Sequence, residues 1–245
     1  MPDAGRPSAC INALGVPVGL AAQLVDHFTA FPRCSRPAEV EITEADPVLA
    51  SGLVTRAAVE GTALFCVHAG VVSTPAGALA LPGPSGLGKS TLVAALVQAG
   101  LGYMSDEVLA LDRATAVATS FPRPMTLDVR SLDLLDIHLP MLDAGASTEA
   151  VVPVEAIGHL GPHHASVTAI VLARRQPGAV TVTVTDGSSA EAASALIRHS
   201  FNHYRDPASS VRTVALAART ARTYIATYSD ARQLAMVLAQ RLGLG

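Results

Sequence analysis

The hydrophobic positions of the chain follow two different spacings. Short apolar runs rich in Val and Ala indicate strands, and apolar residues that recur every three or four positions indicate helices. From residue 64 onward the strand-like runs are LFCVHAGVV, ALALP, GYMSDEVLALD, which its two acids interrupt, AVATS, VTAIVLA, VTVTVT and YIATY. The helical stretches are 89–98, SSAEAASALIRHSF, which opens with a capping box of Ser188 and Glu191, SSVRTVALAARTA and SDARQLAMVLAQRLG. Strands and helices mixed in this way predict an α/β core.

The first 58 residues show little of this alternation. They contain several prolines, and VEITEA is the stretch most typical of a short strand. We therefore predict an accessory N-terminal segment with some β-structure over residues 1–58, followed by one larger domain over residues 59–245.

Composition narrows the classes of function. Half of the 245 residues are hydrophobic and 15% are charged, so we expect a sizeable buried core. The formal net charge is −3, and the basic residues are scattered along the chain. Non-specific nucleic-acid binding depends on concentrated Lys and Arg, so we expect no nucleic-acid partner.

The cysteines and the hydropathy bear on the compartment. Cys10, Cys34 and Cys66 lie far apart and form no CxxC pair, which predicts neither a zinc site nor a disulfide framework. A reducing cytoplasm is the simplest setting for such a chain. The apolar stretch 13–25 contains Pro17 and lacks a clear cleavage site, so a signal peptide is not favoured. No uninterrupted apolar run reaches about 18 residues, and we expect no membrane span.

The candidate chemistry begins at LPGPSGLGKSTL. Gly83-x-x-x-x-Gly88-Lys89-Ser90 fits the G-x-x-x-x-G-K-[ST] pattern of a phosphate-binding loop, and it lies between a predicted strand and a predicted helix. Glycines let such a loop turn its backbone N–H groups towards phosphate oxygens. The residues predicted to contact a nucleotide are Gly83, Pro84, Ser85, Gly86, Leu87, Gly88, Lys89, Ser90 and Thr91.

The end of this motif predicts ATP and Mg²⁺ as cofactors. Lys89 can reach the β- and γ-phosphates, and the Ser90 hydroxyl can coordinate Mg²⁺. The positive end of the helix dipole at Lys89 also favours an anion. The larger domain is therefore predicted to be a P-loop core, in which helices flank a mixed β-sheet.

Asp106 and Glu107 are the next clue. An acid that follows apolar residues on a neighbouring strand commonly holds Mg²⁺ in such sites. Asp106 lies only 17 residues after Lys89, which leaves room for one short helix and one strand. Transport ATPases place more chain between the two motifs, and the chain has no LSGGQ-like or NKxD-like stretch. The spacing disfavours a transporter ATPase and a GTPase.

The order VHAGVV, GPSGLGKSTL and GLGYMSDEVLAL resembles the catalytic domain of the HPr kinase/phosphorylase family. The resemblance covers about residues 64–111, and FPRPMTLDVRS and SFNHYRDP more loosely resemble small HPr-kinase-like proteins. It implies a kinase that transfers the γ-phosphoryl group of ATP to a hydroxyl, here a Ser of a protein or peptide. It also implies a homo-oligomer.

The resemblance assigns roles to three residues. Asp106 matches the aspartate that accepts the proton of the attacking serine, and Glu107 matches the second aspartate, which is linked to Mg²⁺. His68 matches a histidine near the active site, so that His68, Lys89 and Asp106 are the candidate catalytic residues. Ala69 stands where the family has glycine, and Glu107 where it has aspartate. Two alternatives stay open: a nucleotide-binding regulator or scaffold without transfer activity, and a small-molecule kinase.

Several other residues have weaker claims. Cationic groups that support the transferred phosphate would come from Arg123, Arg130, Arg198 or Arg205. A further set is predicted along one helix and could face a substrate or a neighbouring subunit: Arg212, Arg219 and Arg222. A solvated surface position is the alternative for each. The histidines of GHLGPHH are predicted to lie in a loop.

Overall fold

The computed structural model describes residues 9–34, 36–44, 46–139 and 149–243. The strands are β1 (Ala9–Ala13), β2 (Val16–Leu20), β3 (Val40–Ile42), β4 (Phe65–Thr74), β5 (Gly77–Pro82), β6 (Gly102–Ser105), β7 (Val108–Leu111), β8 (Val117–Thr119), β9 (Met125–Asp128), β10 (Glu149–Val152), β11 (His164–Arg175), β12 (Thr183–Asp186) and β13 (Arg222–Tyr228). The α-helices are α1 (Pro47–Gly61), α2 (Lys89–Gln98), α3 (Val129–Leu135), α4 (Ser189–Arg198), α5 (Pro207–Thr220) and α6 (Ala231–Arg241).

The largest sheet has eight strands and is mixed. Its order is β12-β13-β11-β5-β4-β7-β8, and β6 also pairs with β4. β11 runs parallel to both β5 and β13, whereas β4, β7, β8 and β12 pair antiparallel with their neighbours. The predicted α/β class, a mixed sheet flanked by helices, is confirmed at this level.

Alternating side chains of β5 explain how both faces of the sheet are covered. Leu79 and Leu81 lie in the apolar cluster that contains α2 and α6, and Ala78 and Ala80 lie in the cluster that contains α4 and α5. Successive side chains of a strand point to opposite faces, so a strand that is apolar throughout requires helices on both sides. β5 is therefore a central strand, and its carboxyl end is held rigidly.

The carboxyl ends of the parallel strands meet at one edge of the sheet. β5 ends at Pro82, β11 at Arg175 and β13 at Tyr228. The antiparallel β4 brings its first residues to the same edge, because Ala69 pairs with Pro82. In open α/β sheets, ligands bind in the crevice outside this edge.

A smaller three-stranded sheet precedes the large one. β1 pairs antiparallel with β2, and β2 pairs parallel with β3. α1 packs on this sheet, with Asp46 as its N-cap and Pro47 at a position where the missing N–H costs nothing. Because residues 1–58 contain several prolines, their pattern did not predict β1, β2 or α1. Helix α1 runs across the predicted boundary at residue 58.

The N-terminal sheet also corrects the expectation that there is no disulfide. Cys10 and Cys34 are bonded to each other, while Cys66 is free and buried. The pairing depends on the fold, because the chain after the 3₁₀ helix Ala22–Phe28 returns to β1 and the Cys34 N–H donates to the Cys10 carbonyl. No spacing rule could reveal this return, since the two cysteines are 24 positions apart.

Most of the other predicted elements are present. The helix at 89–98 has the predicted bounds, and α4 begins with the predicted capping box of Ser188 and Glu191. Two placements were wrong: Arg222 begins β13 and does not lie on a helix, and His164 begins β11 and does not lie in a loop. Within the described ranges, no helix has the length and apolar character needed to cross a membrane.

Candidate functional site

The glycine-rich loop, residues 83–88, connects the carboxyl end of β5 to the first residue of α2. Gly86 and Gly88 have φ angles of 81° and 76°, in the left-handed region that residues with a side chain rarely adopt. Gly88 is the N-cap of α2 and supplies no side-chain oxygen, so the first N–H groups of the helix have no side-chain cap. The loop therefore presents backbone donors and the positive end of a helix at the sheet edge.

Lys89 follows the loop directly and folds back across it. Its Nζ donates a hydrogen bond to the Pro84 carbonyl at 2.8 Å. Burial lowers the pKa of Lys89, and the carboxylates of Glu107 and Asp106 offset part of this shift. The ammonium group is thus held inside the curve of the loop and on the side of the two acids.

His68 lies beside the first glycine of the loop. The Gly83 N–H donates to the His68 carbonyl at 3.2 Å, and the His68 N–H donates to the carbonyl of His199 at 2.8 Å. The imidazole Nε2 is 3.5 Å from Oε1 of Glu107, and the ring lies against Phe201. The structure thus brings the predicted His68 next to both the loop and one predicted acid.

Asp106 and Glu107 form the turn between β6 and β7, which both pair with β4. The Ser105 hydroxyl accepts hydrogen bonds from the N–H groups of Glu107 and Val108, at 3.2 and 2.9 Å. The Glu107 carbonyl accepts from the N–H of Ala69. These hydrogen bonds fix the backbone of the turn, and with it the positions from which the two acidic side chains extend.

The Asp106 carboxylate is buried, with the residue 1% exposed, and both of its oxygens are occupied. Arg123 donates through Nε to Oδ1 at 3.0 Å and through Nη2 to Oδ2 at 3.4 Å, and the Tyr103 hydroxyl lies 3.1 Å from Oδ1. Such a two-pronged contact between a guanidinium and a carboxylate is a strong charge-assisted pair. Asp106 is therefore held in place by Arg123 and Tyr103.

Glu107 has the more accessible carboxylate. Its side chain is 29% exposed, and its oxygens lie 3.5 Å from both His68 Nε2 and Arg123 Nη2. Burial alone raises the pKa of Glu107, but the hydrogen bond with His68 and the positive charge of Arg123 outweigh it, so the pKa lies below its ordinary value. Glu107 is an ionised carboxylate that faces Lys89 and solvent. We call His68, Tyr103, Asp106, Glu107 and Arg123 the acid cluster.

The buried position of Arg123 was not predicted from the sequence. It was a candidate for contacting phosphate, but it is only 9% exposed and its guanidinium is shared between the two acids. Burial lowers the pKa of Arg123, and the carboxylates of Asp106 and Glu107 outweigh this and raise it. No local signal revealed this position, because Arg is mostly exposed and is buried only when it is paired, and its partner Asp106 lies 17 positions away.

The remaining candidate arginines do not converge on one point. Arg205 donates to the carbonyls of Val59 and Glu60 and so ties the large domain to α1. Arg130 lies with Arg175 and Tyr228 in a cavity of about 130 Å³ beside Gly88. Arg198 lines a larger cleft on the other side of the loop. Arg212 and Arg219 lie exposed on α5.

No family model matches the chain, and a search of curated proteins finds no match either.

The arrangement combines a glycine-rich loop with exposed backbone donors, an ammonium group and a carboxylate at one edge of the sheet. Ser90, at the start of α2, and Glu107 offer hard oxygen ligands of the kind Mg²⁺ prefers, and Mg²⁺ takes few protein ligands when it also binds phosphates. In the described part of the chain, no group of three or more His, Cys, Asp or Glu residues could hold a metal by itself. A metal here would need phosphate oxygens to complete its coordination.

Proposed function

We propose that the protein is an ATP- and Mg²⁺-dependent kinase with a P-loop core, which transfers the γ-phosphoryl group to a hydroxyl of a Ser in a protein or peptide. The observation that carries the proposal is the position of Lys89. Its ammonium group bends over the glycine-rich loop and lies within the electrostatic range of Asp106 and Glu107. A phosphate in the loop would therefore lie between a cation and a carboxylate.

The loop and Lys89 account for phosphate binding. Backbone N–H groups of residues 83–88 and the uncapped start of α2 would hold the β- and γ-phosphates, and Lys89 would exchange its hydrogen bond with Pro84 for one with phosphate. Mg²⁺, when bound, neutralises charge on the phosphates. We assign this ion to the Ser90 hydroxyl, at the start of α2, because Glu107 is needed as the proton acceptor.

Proton transfer fits Glu107 better than Asp106. A general base needs an oxygen that the acceptor hydroxyl can reach, and the Asp106 side chain is 0% exposed, with both oxygens hydrogen-bonded inside the protein. Glu107 is ionised, more exposed and next to His68. We therefore assign proton acceptance to Glu107, and to Asp106 the task of holding Arg123, which orients Glu107.

The experiment is transfer from γ-labelled ATP to proteins and peptides of a cell extract. The intact protein should label a protein or peptide fraction, and Lys89→Ala should label none while its circular dichroism spectrum stays unchanged. Label in a metabolite fraction alone would instead identify a small-molecule kinase. Equal labelling by the two proteins would refute the proposed kinase.

One observation favours a second candidate, a nucleotide-binding regulator without transfer activity. The aspartate that the family resemblance designates as base is buried and fully paired. A regulator would bind ATP, measured by calorimetry, and label nothing in the same extract.

A further inference from the structure

A cleft of about 470 Å³ lies on the opposite flank of the glycine-rich loop from the acid cluster. One wall is the loop itself, and the other is α4 together with the end of β11. Its lining combines apolar side chains with two exposed guanidinium groups; the residues that matter are Pro84, Leu87, Leu172, Arg174, Arg198 and His199. A volume of this size lies within the range of about 300–1,000 Å³ that is typical of ligand pockets.

The charge of the cleft is positive and largely uncompensated. Among the described residues, neither Arg174 nor Arg198 has a carboxylate within ion-pair distance. Glu191 is the acidic residue of the lining, and its Oε2 already accepts hydrogen bonds from the Ser188 N–H and hydroxyl at 2.9 Å each. Hydrogen bonds from Ser188, and secondarily the charge of Arg174, lower the pKa of Glu191. Two guanidinium groups therefore face one carboxylate that is committed to capping α4.

The cleft borders the place where transfer would occur. It shares Gly83, Pro84 and Leu87 with the loop, and the carbonyl of His199 accepts from the N–H of His68 in the acid cluster. Burial lowers the pKa of His199, and electrostatic interactions with His68, Arg198 and Lys89 lower it further. A molecule bound along the cleft thus ends beside Lys89 and the loop.

We propose that this cleft binds acidic side chains adjacent to the acceptor serine of a peptide segment, and that Arg174 and Arg198 select for them. The inference rests on the proposed function. Guanidinium groups match carboxylates with two parallel hydrogen bonds, and the apolar side chains of the lining can pack against the stems of Glu side chains. The acidic side chains would lie over Arg174 and Arg198 while the serine hydroxyl extends towards Glu107.

The test compares fluorescent peptides in which a serine is flanked by glutamates, by glutamines or by lysines. Binding is measured by anisotropy, with a non-hydrolysable ATP analogue present. The acidic set should bind at least about tenfold more tightly than the glutamine set, a difference of about 1.4 kcal/mol. Arg174→Ala/Arg198→Ala should abolish the preference. Arg212→Ala/Arg219→Ala removes the same charge from exposed positions of α5 outside the cleft and should retain it.

Two results would overturn the proposal. One is equal binding of the three peptide sets, or a preference that survives in Arg174→Ala/Arg198→Ala. The other is a loss of nucleotide affinity in that variant with unchanged peptide binding, which would make the cleft a nucleoside site.

Peptide binding does not require phosphoryl transfer, so the cleft and the kinase can fail separately. Acidic peptides that bind with the expected preference but are never labelled would refute the kinase and keep the cleft. Labelling of glutamine and lysine peptides as well as of acidic ones would keep the kinase and refute the cleft.

Discussion

The acid cluster and the cleft that contains Arg174 and Arg198 both border the glycine-rich loop, and they differ in how their charges are compensated. In the acid cluster the charges of Asp106 and Arg123 are buried, and both oxygens of Asp106 are hydrogen-bonded. In the cleft, Arg174 and Arg198 are exposed and have no carboxylate partner among the described residues. A buried charge must be paired to be tolerated, whereas an exposed one is tolerated alone. Pairing in the cluster is therefore a requirement of folding, and the unpaired arginines are the charges free to bind a ligand.

The largest expected effect separates the two acids. Glu107→Gln should lower phosphoryl transfer by about 10²- to 10⁴-fold, the scale of general-base catalysis, with little change in unfolding free energy. Asp106→Asn should instead show instability first, because it weakens the pairing of the buried Arg123. Transfer assays and urea titrations on both variants check this. A stable, inactive Asp106→Asn beside an active Glu107→Gln would return the base to Asp106.

The next effect compares an arginine from each region. Arg123→Met leaves the Asp106 charge buried without a cation and should lower the unfolding free energy by about 3–5 kcal/mol. Arg174→Met, in the cleft, should change it by no more than about 0.5 kcal/mol. Urea unfolding measures both. The double variant Asp106→Asn/Arg123→Met should recover part of the loss, and similar costs for the two single arginine variants would remove the contrast.

A smaller effect is expected at the start of α4, which carries Arg198. Ser188→Ala removes the N-cap hydrogen bond to the Glu191 N–H and should cost about 1 kcal/mol. Ser189→Ala, one residue along and outside the capping role, is the matched control. Thermal and urea unfolding of the two variants check the prediction, which fails if both cost the same.

The smallest effect is a dependence of stability on pH. The folded pKa of Glu107 lies below its ordinary value of 4.5, so its ionisation stabilises the fold above that ordinary value. This contribution should be lost as the pH falls through the lowered folded pKa. Wild type should therefore gain stability over Glu107→Gln as the pH rises through this window. The exposed Glu155→Gln is the control, and parallel curves for wild type and Glu107→Gln would contradict the expectation.

Local patterns were sufficient to predict much of the large sheet and its helices. The i,i+4 apolar pairs of residues 89–98 and the capping box at Ser188 are signals contained within a few residues, and both elements formed as predicted. The same holds for the split of GYMSDEVLALD at its two acids. Short-range periodicity determines such elements because their side chains pack as the pattern requires.

The unpredicted parts depend on contacts between distant residues. Arg123 meets Asp106 across 17 positions, and Cys10 meets Cys34 across 24. The cleft is formed by the end of β11, α4 and the glycine-rich loop. These segments lie far apart in sequence, so no local pattern predicts that they meet. The sequence could therefore name Asp106 and Glu107 as a pair, but it could not show which of the two carboxylates is accessible to solvent.

The stability measurements above depend on whether the Cys10–Cys34 disulfide is formed in the sample. The disulfide closes a loop around the N-terminal sheet, and a loop of that length is worth about 3 kcal/mol in the chain-entropy account. The apolar cluster behind this sheet includes Val108, which directly follows Glu107, and Phe121, which lies two residues before Arg123. Samples with the disulfide reduced and samples with it formed should therefore differ in stability. Variants can be compared only when the disulfide is in the same state in all of them.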